Sequence, residues 1–210
     1  MTCKICQTRR PQRACPGAGG EICSPCCGTE RENSIACPLD CAYLREARIH
    51  EKPPALDLEN LPNADIPVTE DFLRENEELL MFLAGSVLAA GLDTEGAVDT
   101  DVRDALDALI RTYRTLNSGI YYETKPANFL AASMQRRIQE SLDEFRRKQT
   151  EQLGMATVRD TGVLGMLVFL QRFELRHNNG RKRGRAFLNF LREYFVPPAG
   201  APSASPLALP

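Results

Sequence analysis

Apolar residues recur at intervals of three and four through residues 69–196, which is the spacing that one face of an α-helix produces. Glycine, asparagine and proline positions interrupt this pattern and divide it into five segments. The five predicted helices begin near Thr69, Thr100, Pro126, Thr157 and Lys182. The alternating pattern of a β-strand does not occur in this region. The sequence therefore predicts a mainly α fold with a five-helix, bundle-like domain.

The apolar face of each predicted helix supplies the expected core. Its members are Phe72, Leu79, Leu80, Leu83, Val87, Val102, Leu106, Leu109, Ile110, Tyr113, Leu116, Phe129, Leu130, Met134, Ile138, Leu142, Phe145, Val163, Leu164, Leu167, Leu170, Phe173, Phe187, Phe190, Leu191 and Tyr194. Met134, Met155 and Met166 are expected to fill gaps in it. The stretch from Val163 to Leu170 is apolar around most of the helix circumference, which predicts the central helix of the bundle.

Proline-rich segments flank the helical domain on both sides. Residues 51–68 contain four prolines and no clean hydrophobic period, which is typical of a semi-extended linker. Residues 197–210 contain five prolines and no charged side chain, so we expect a disordered tail. The predicted organisation is a cysteine-rich domain over residues 1–50, the linker, the helical domain over 69–196 and the tail.

Composition favours a soluble intracellular protein. Hydrophobic residues make up 43% of the chain and charged residues 26%, as in ordinary globular domains. The N-terminus lacks the basic-then-apolar pattern of a secretory signal, and the longest apolar stretches are too short to cross a bilayer. We therefore expect a cytoplasmic protein with no membrane span, in which cysteines stay reduced.

Charge is distributed unevenly along the chain. Residues 53–101 carry twelve acidic residues and one basic residue, whereas residues 102–210 carry seventeen basic and ten acidic residues. The simplest interpretation is that the acidic segment faces the basic half of the same chain.

All the cysteines of the chain lie within its first 41 residues. They are Cys3, Cys6, Cys15, Cys23, Cys26, Cys27, Cys37 and Cys41. Cys3-x2-Cys6 has the spacing of a zinc knuckle, and Cys23 forms a second knuckle with either Cys26 or Cys27. Pro38 predicts a helix that begins beside Cys37 and carries Cys41 one turn later.

Zinc coordination is the interpretation that these spacings favour. A segment of about 50 residues buries too little apolar surface to fold without crosslinks or metal. Eight thiolates complete two tetrahedral sites, so we predict two zinc ions. An iron–sulfur cluster is the less favoured alternative, because the ferredoxin-type run of cysteines is missing.

The series Cys3-x2-Cys6-x8-Cys15-Pro and Cys23-Ser-x2-Cys27 resembles the cross-brace zinc fingers of the MYND and HIT types, over residues 1–45 only. In those families the first and third ligand pairs hold one zinc, and the second and fourth pairs hold the other. The resemblance implies one site of Cys3, Cys6, Cys23 and Cys27 and another containing Cys15, Cys37 and Cys41. It also implies a protein-binding module, since such fingers mostly bind proteins.

The chain departs from that family pattern at two positions. Ala18 stands where a cysteine is expected, and Cys37 replaces the usual histidine of the last pair. One site is then a ligand short, and Cys26 or His50 is the candidate substitute. A treble-clef pairing is the alternative, with one site of Cys3, Cys6, Cys37 and Cys41 and another of Cys15, Cys23, Cys26 and Cys27.

A run of positive charge marks the turn before the last predicted helix. This basic segment, residues 176–185, contains Arg176, Arg181, Lys182, Arg183 and Arg185. Positive side chains at a helix N-terminus oppose the helix dipole, so we expect an anionic group to compensate them. That group is either the acidic stretch from Asp57 to Asp101 or phosphate on a nucleic acid or small ligand.

No catalytic constellation is visible in the sequence. His50 and His177 both lack a neighbouring nucleophile or acid in a catalytic arrangement. We therefore predict a non-enzymatic zinc protein that acts as a protein-interaction, adaptor or regulatory module, with another protein as its partner. Two alternatives stay open: nucleic-acid or phosphate-ligand binding through the basic segment, and a zinc–thiol redox switch that uses a spare cysteine at Cys26–Cys27.

Overall fold

The computed structural model describes residues 2–52, 54–55 and 61–195, and the chain is mainly helical over these ranges. The predicted tail lies outside the described residues, as does part of the predicted linker.

The first 50 residues, the cysteine head, contain a hairpin and two short helices. Strands β1 (Arg13–Cys15) and β2 (Gly20–Ile22) pair antiparallel. A 3-10 turn over Pro16–Ala18 joins them and ends at Gly19, whose φ of 62° favours glycine. Helix α1 (Ser24–Glu30) follows the hairpin, and helix α2 (Ala42–Ile49) closes the head.

Helix α2 begins one turn later than its prediction from Pro38. Pro38 instead opens a turn in which the Cys41 amide donates to the Pro38 carbonyl at 3.1 Å. Cys41 then precedes the helix as its N-cap residue, and its carbonyl accepts from the Leu44 and Arg45 amides. Cys37 and Cys41 are therefore held by a turn and a helix start, not by successive turns of one helix.

The helical domain contains six helices in the described residues. They are α3 (Glu70–Glu75), α4 (Glu77–Asp93), α5 (Asp99–Asn117), α6 (Phe129–Leu153), α7 (Asp160–His177) and α8 (Ala186–Phe195). Thr69 caps α3 as predicted, accepting from the Phe72 amide. The predicted first helix is split because Asn76 leaves helical geometry and donates its side-chain amide to the Phe72 carbonyl.

Three later helices start downstream of their predicted positions. Asn128, not Pro126, caps α6 by accepting from the Leu130 amide at 2.9 Å. Helix α7 starts at Asp160 instead of near Thr157. Helix α8 starts at Ala186 instead of Lys182, because residues 178–185 form a turn with other hydrogen-bond partners.

The core of the bundle lies where α5 contacts α6 and α7 and where α4 contacts α6 and α8. Helix α7 packs against α4, α5 and α8, and its apolar residues 162–168 are all buried. Three predicted core residues are exposed: Phe129 (82%), Met155 (65%) and Tyr194 (69%). Phe129 is the first residue of α6 and Met155 follows its C-cap Gly154, so both lie at the ends of that helix.

Ion pairs connect the acidic middle of the chain with its basic rear half, as the charge distribution predicts. Asp65 pairs with Arg114 at 2.6 Å, and Asp93 with Arg137 at 3.4 Å. Among the residues that the structure describes, none of the helices combines the length and the apolar character needed to cross a bilayer.

Candidate metal centre

Four cysteine sulfurs converge at one point of the cysteine head. This first cysteine set consists of Cys3, Cys6, Cys23 and Cys26, whose sulfurs all lie within 4.8 Å of one another. The Sγ atoms of Cys6 and Cys23 are 3.9 Å apart, and no disulfide joins any of the eight cysteines. Tetrahedral zinc with bonds of about 2.3 Å separates its sulfur ligands by roughly 3.8 Å. The sulfurs of the first cysteine set are therefore close enough together that they could hold one metal ion.

Two local structures supply these sulfurs. Cys3 and Cys6 lie in a tight loop, where the Gln7 amide donates to the Cys3 carbonyl at 2.8 Å and Gln7 takes a φ of 56°. Cys23 is the N-cap residue of α1, and Cys26 lies in the first turn of that helix. The Cys23 amide donates to the Cys3 sulfur at 3.2 Å and joins the two structures.

Two sulfurs of the first cysteine set differ in their tendency to lose a proton at neutral pH. Hydrogen bonds to Thr8 and Arg9 lower the pKa of Cys6 to about 5. Contact with the Cys23 sulfur, together with burial, raises the pKa of Cys26 to about 12. A bound divalent cation would remove this difference, since it stabilises all four thiolates at once. The four cysteines could thus hold a metal ion, and their donor chemistry fits zinc.

The remaining four cysteines line a second, small cavity on the other side of α1. This second cysteine set consists of Cys15, Cys27, Cys37 and Cys41, around an enclosed space of about 10 Å³. Their sulfurs are not grouped as tightly as those of the first set. Two guanidinium groups lie near the Cys27 sulfur: Arg13 Nη1 at 3.3 Å and Arg31 Nη2 at 4.0 Å.

The helical geometry of α1 explains the separation of Cys26 and Cys27. Consecutive residues on an α-helix project about 100° apart, so neighbouring side chains face different directions. Cys26 belongs to the first set, and Cys27 faces the cavity of the second. The observed grouping differs from the cross-brace assignment in this exchange. It differs from the treble-clef alternative in a larger one, since Cys23 and Cys26 take the places of Cys37 and Cys41 beside Cys3 and Cys6. His50, the other candidate substitute, is exposed at the end of α2 and lines neither site.

Glu32 joins the cysteine head to the helical domain, a role that no sequence pattern indicated. It follows α1, is fully buried and has a φ of 53°. Its carboxylate accepts from Arg48 Nη2 at 2.8 Å, Asn179 Nδ2 at 2.7 Å and the Arg185 amide at 3.1 Å. Its carbonyl accepts from the Arg183 amide at 2.7 Å. Glu32 therefore binds the basic segment of the helical domain to the cysteine head.

The Arg181 side chain of the basic segment also contacts the head. Arg181 donates to the Arg31 carbonyl at 2.8 Å and pairs with Glu51 at 3.4 Å. Arg185 is partly buried, Lys182 and Arg183 are exposed, and Arg176 donates to the Pro54 carbonyl at 3.2 Å. The structure thus divides the five predicted anion-binding residues between an internal junction and the surface.

Asp99, from the acidic segment, binds the start of α8, although its contacts are with backbone amides and not with the basic side chains. Its carboxylate accepts from the Phe187 and Leu188 amides at the start of α8, at 2.9 and 3.2 Å. Burial raises its pKa to about 7, although the two amides act in the opposite direction. Together Asp99 and Glu32 hold the turn between α7 and α8 from two sides.

Comparisons with known proteins give no match to this chain, whether with family models, curated proteins or solved structures.

Proposed function

We propose that the chain is a non-enzymatic protein whose cysteine head binds two zinc ions of structural type. The first cysteine set would hold one ion and the second set the other. Sites closed by four protein thiolates leave no coordination position for substrate, which is typical of structural zinc. Eight reduced cysteines suit a reducing compartment such as the cytoplasm. In this arrangement every cysteine is a ligand, so no spare thiol is left for a redox switch.

We further propose that the head and the helical domain act together as one protein-interaction module. The observation that supports this most strongly is the contact of Glu32 with the basic segment, because it fixes the head against the bundle. Arg192 adds a hydrogen bond to the Leu39 carbonyl, between Cys37 and Cys41, at 3.2 Å. In both contacts the residue of the head, Glu32 or Leu39, lies close in sequence to cysteines of the second set. Metal binding would therefore shape a surface composed of both parts.

Affinity capture followed by quantitative mass spectrometry tests this proposal. Full-length bait, the Cys6→Ser variant and the matched Ser34→Ala variant are compared, since Ser34 lies in the head and is not a ligand. We expect at least one protein that binds the wild type and Ser34→Ala equally and is lost with Cys6→Ser. The captured protein should also bind directly to the purified zinc-loaded wild type and Ser34→Ala variant, and not to the Cys6→Ser variant. Capture that is indifferent to Cys6→Ser would contradict the proposed role of the head.

A further inference from the structure

A cavity of about 490 Å³ lies at the junction of the head and the helical domain. One wall comes from α2 and the residues after it, and the other comes from the end of α7 and the start of α8. Four cationic side chains line this junction cavity: Arg45, Arg48, Lys52 and Arg176. Its size is within the range of cavities that hold small organic ligands, about 300–1,000 Å³.

The positive charges of the junction cavity exceed its negative ones. Arg45 and Lys52 have no ion-pair partner among the described residues, and Arg176 contacts only the Pro54 carbonyl there. Of the two acidic side chains in the lining, Glu51 pairs with Arg181, whereas Glu193 accepts from the neutral Asn189 at 2.7 Å and has no cationic partner among the described residues. The cavity therefore offers two guanidinium groups and one ammonium group to an anion.

Arg48, the fourth cation of the lining, is already paired with Glu32 through its Nη2 atom. Its Nε and Nη1 atoms are buried and closed off from the cavity surface. The donors open to a ligand are therefore those of Arg45, Lys52 and Arg176.

The rest of the lining is apolar. Ile49 is 79% exposed, and Pro54 and Phe190 continue the same wall. Phe190 is held between the rings of His177 and Tyr194, at centroid distances of 3.9 and 4.3 Å. Both of its faces are covered, so its ring edge is the part that a ligand can contact.

We infer that the junction cavity binds an organic phosphate. The phosphate would interact with Arg45, Lys52 and Arg176, and the carbon body would lie against Ile49, Pro54 and Phe190. Three separate cationic groups suit a dianion with three oxygens better than a single carboxylate. This site is independent of the proposed protein partner.

Isothermal titration of the zinc-loaded full chain tests the inference with AMP, phenyl phosphate, inorganic phosphate and adenosine. We expect one-to-one binding of an organic phosphate, at least about tenfold tighter than inorganic phosphate, and no heat from adenosine. The stronger of AMP and phenyl phosphate identifies the preferred carbon body, and either order supports the inference. Arg45→Ala and Arg176→Ala should each weaken binding by about fivefold or more.

Arg147→Ala is the matched control. The Arg147 side chain is 63% exposed, and it lies on α6, outside the lining of the cavity. Amide spectra of the wild type provide a measurement that needs no variant, and the Arg45, Asn178 and Ala186 signals should shift on titration. The inference is overturned if neither organic phosphate saturates, if inorganic phosphate binds as tightly as they do, or if Arg147→Ala matches the two cavity variants. Such a result would leave zinc content and partner capture, and so the proposed function, intact.

Discussion

Replacing Glu32 with alanine should separate the cysteine head from the helical domain. The substitution removes three hydrogen bonds to the carboxylate, one of them part of an ion pair with Arg48. Hydrogen bonds to charged groups contribute about 1.5–3 kcal/mol each, and breaking a buried pair by removing one partner costs about 3–5 kcal/mol. Arg48 already has two buried nitrogens without a partner, so its charge would stay uncompensated. We expect a loss of about 3–5 kcal/mol in the free energy of unfolding.

Urea unfolding of the zinc-loaded protein measures this loss with two signals. Circular dichroism reports the helices, which is necessary because the chain has no tryptophan. A chromogenic zinc indicator reports release of metal from the head. In the wild type the two transitions should coincide, because the junction couples the two parts. In Glu32→Ala the zinc transition should move to lower urea and separate from the helical one.

The matched control is Glu46→Ala, which removes an exposed glutamate from α2. It should change the free energy of unfolding by no more than about 0.5 kcal/mol. The reasoning fails if Glu32→Ala is as stable as Glu46→Ala, or if its two transitions still coincide.

Three further predictions follow from the buried groups. The raised pKa of Asp99, about 7 against an ordinary 3.8, means that the folded state holds a proton that the unfolded chain has released. Stability should therefore fall as pH rises from about 4 to about 7 and level off above. Urea midpoints between pH 5.5 and 8 should show this dependence in the wild type and a weaker one in Asp99→Asn, because the buried Glu174 also has a raised pKa. Parallel curves for the two proteins would contradict the prediction. Gly165→Ala should lower the free energy of unfolding by about 1–3 kcal/mol, because a Cβ there would overlap with Phe72. The control Gly85→Ala meets no atom within 4 Å and should instead stabilise α4 by about 0.5–1 kcal/mol. Equal effects of the two variants in thermal unfolding would rule out the α3–α7 packing. Chelation of the metal should accelerate hydrogen exchange at the Arg183 and Arg185 amides, which donate to Glu32. The Ile138 amide in α6 should stay protected. Unchanged exchange at both arginine amides would show that the junction does not depend on metal.

The helical class and most of the core could be predicted from sequence, because apolar periodicity directly reflects burial on a helix face. Leu83, Leu106, Met134 and Leu167 are buried as their spacing predicts. Helix boundaries were less predictable, since they depend on competing hydrogen bonds. Asn76 splits the first predicted helix through a side-chain bond to Phe72, and Asn128 displaces Pro126 as the start of α6.

The cysteine head shows where local pattern stops being informative. The spacing of the cysteines identified a candidate ligand set, but Cys26 and Cys27 are adjacent, and only the direction of α1 assigns one to each group. The hairpin β1–β2 was not predicted, because its strands have three residues each. Glu32 carries no sequence signal at all, since its partners Asn179 and Arg185 lie about 150 residues away.

The division of the eight cysteines into the first and second cysteine sets is the central claim. Cadmium NMR tests this division most directly. Protein loaded with ¹¹³Cd in place of zinc should give two metal resonances. One should couple to the β-protons of Cys3, Cys6, Cys23 and Cys26, and the other to those of Cys15, Cys27, Cys37 and Cys41. A single resonance, or coupling of Cys26 and Cys27 to the same ion, would contradict the account.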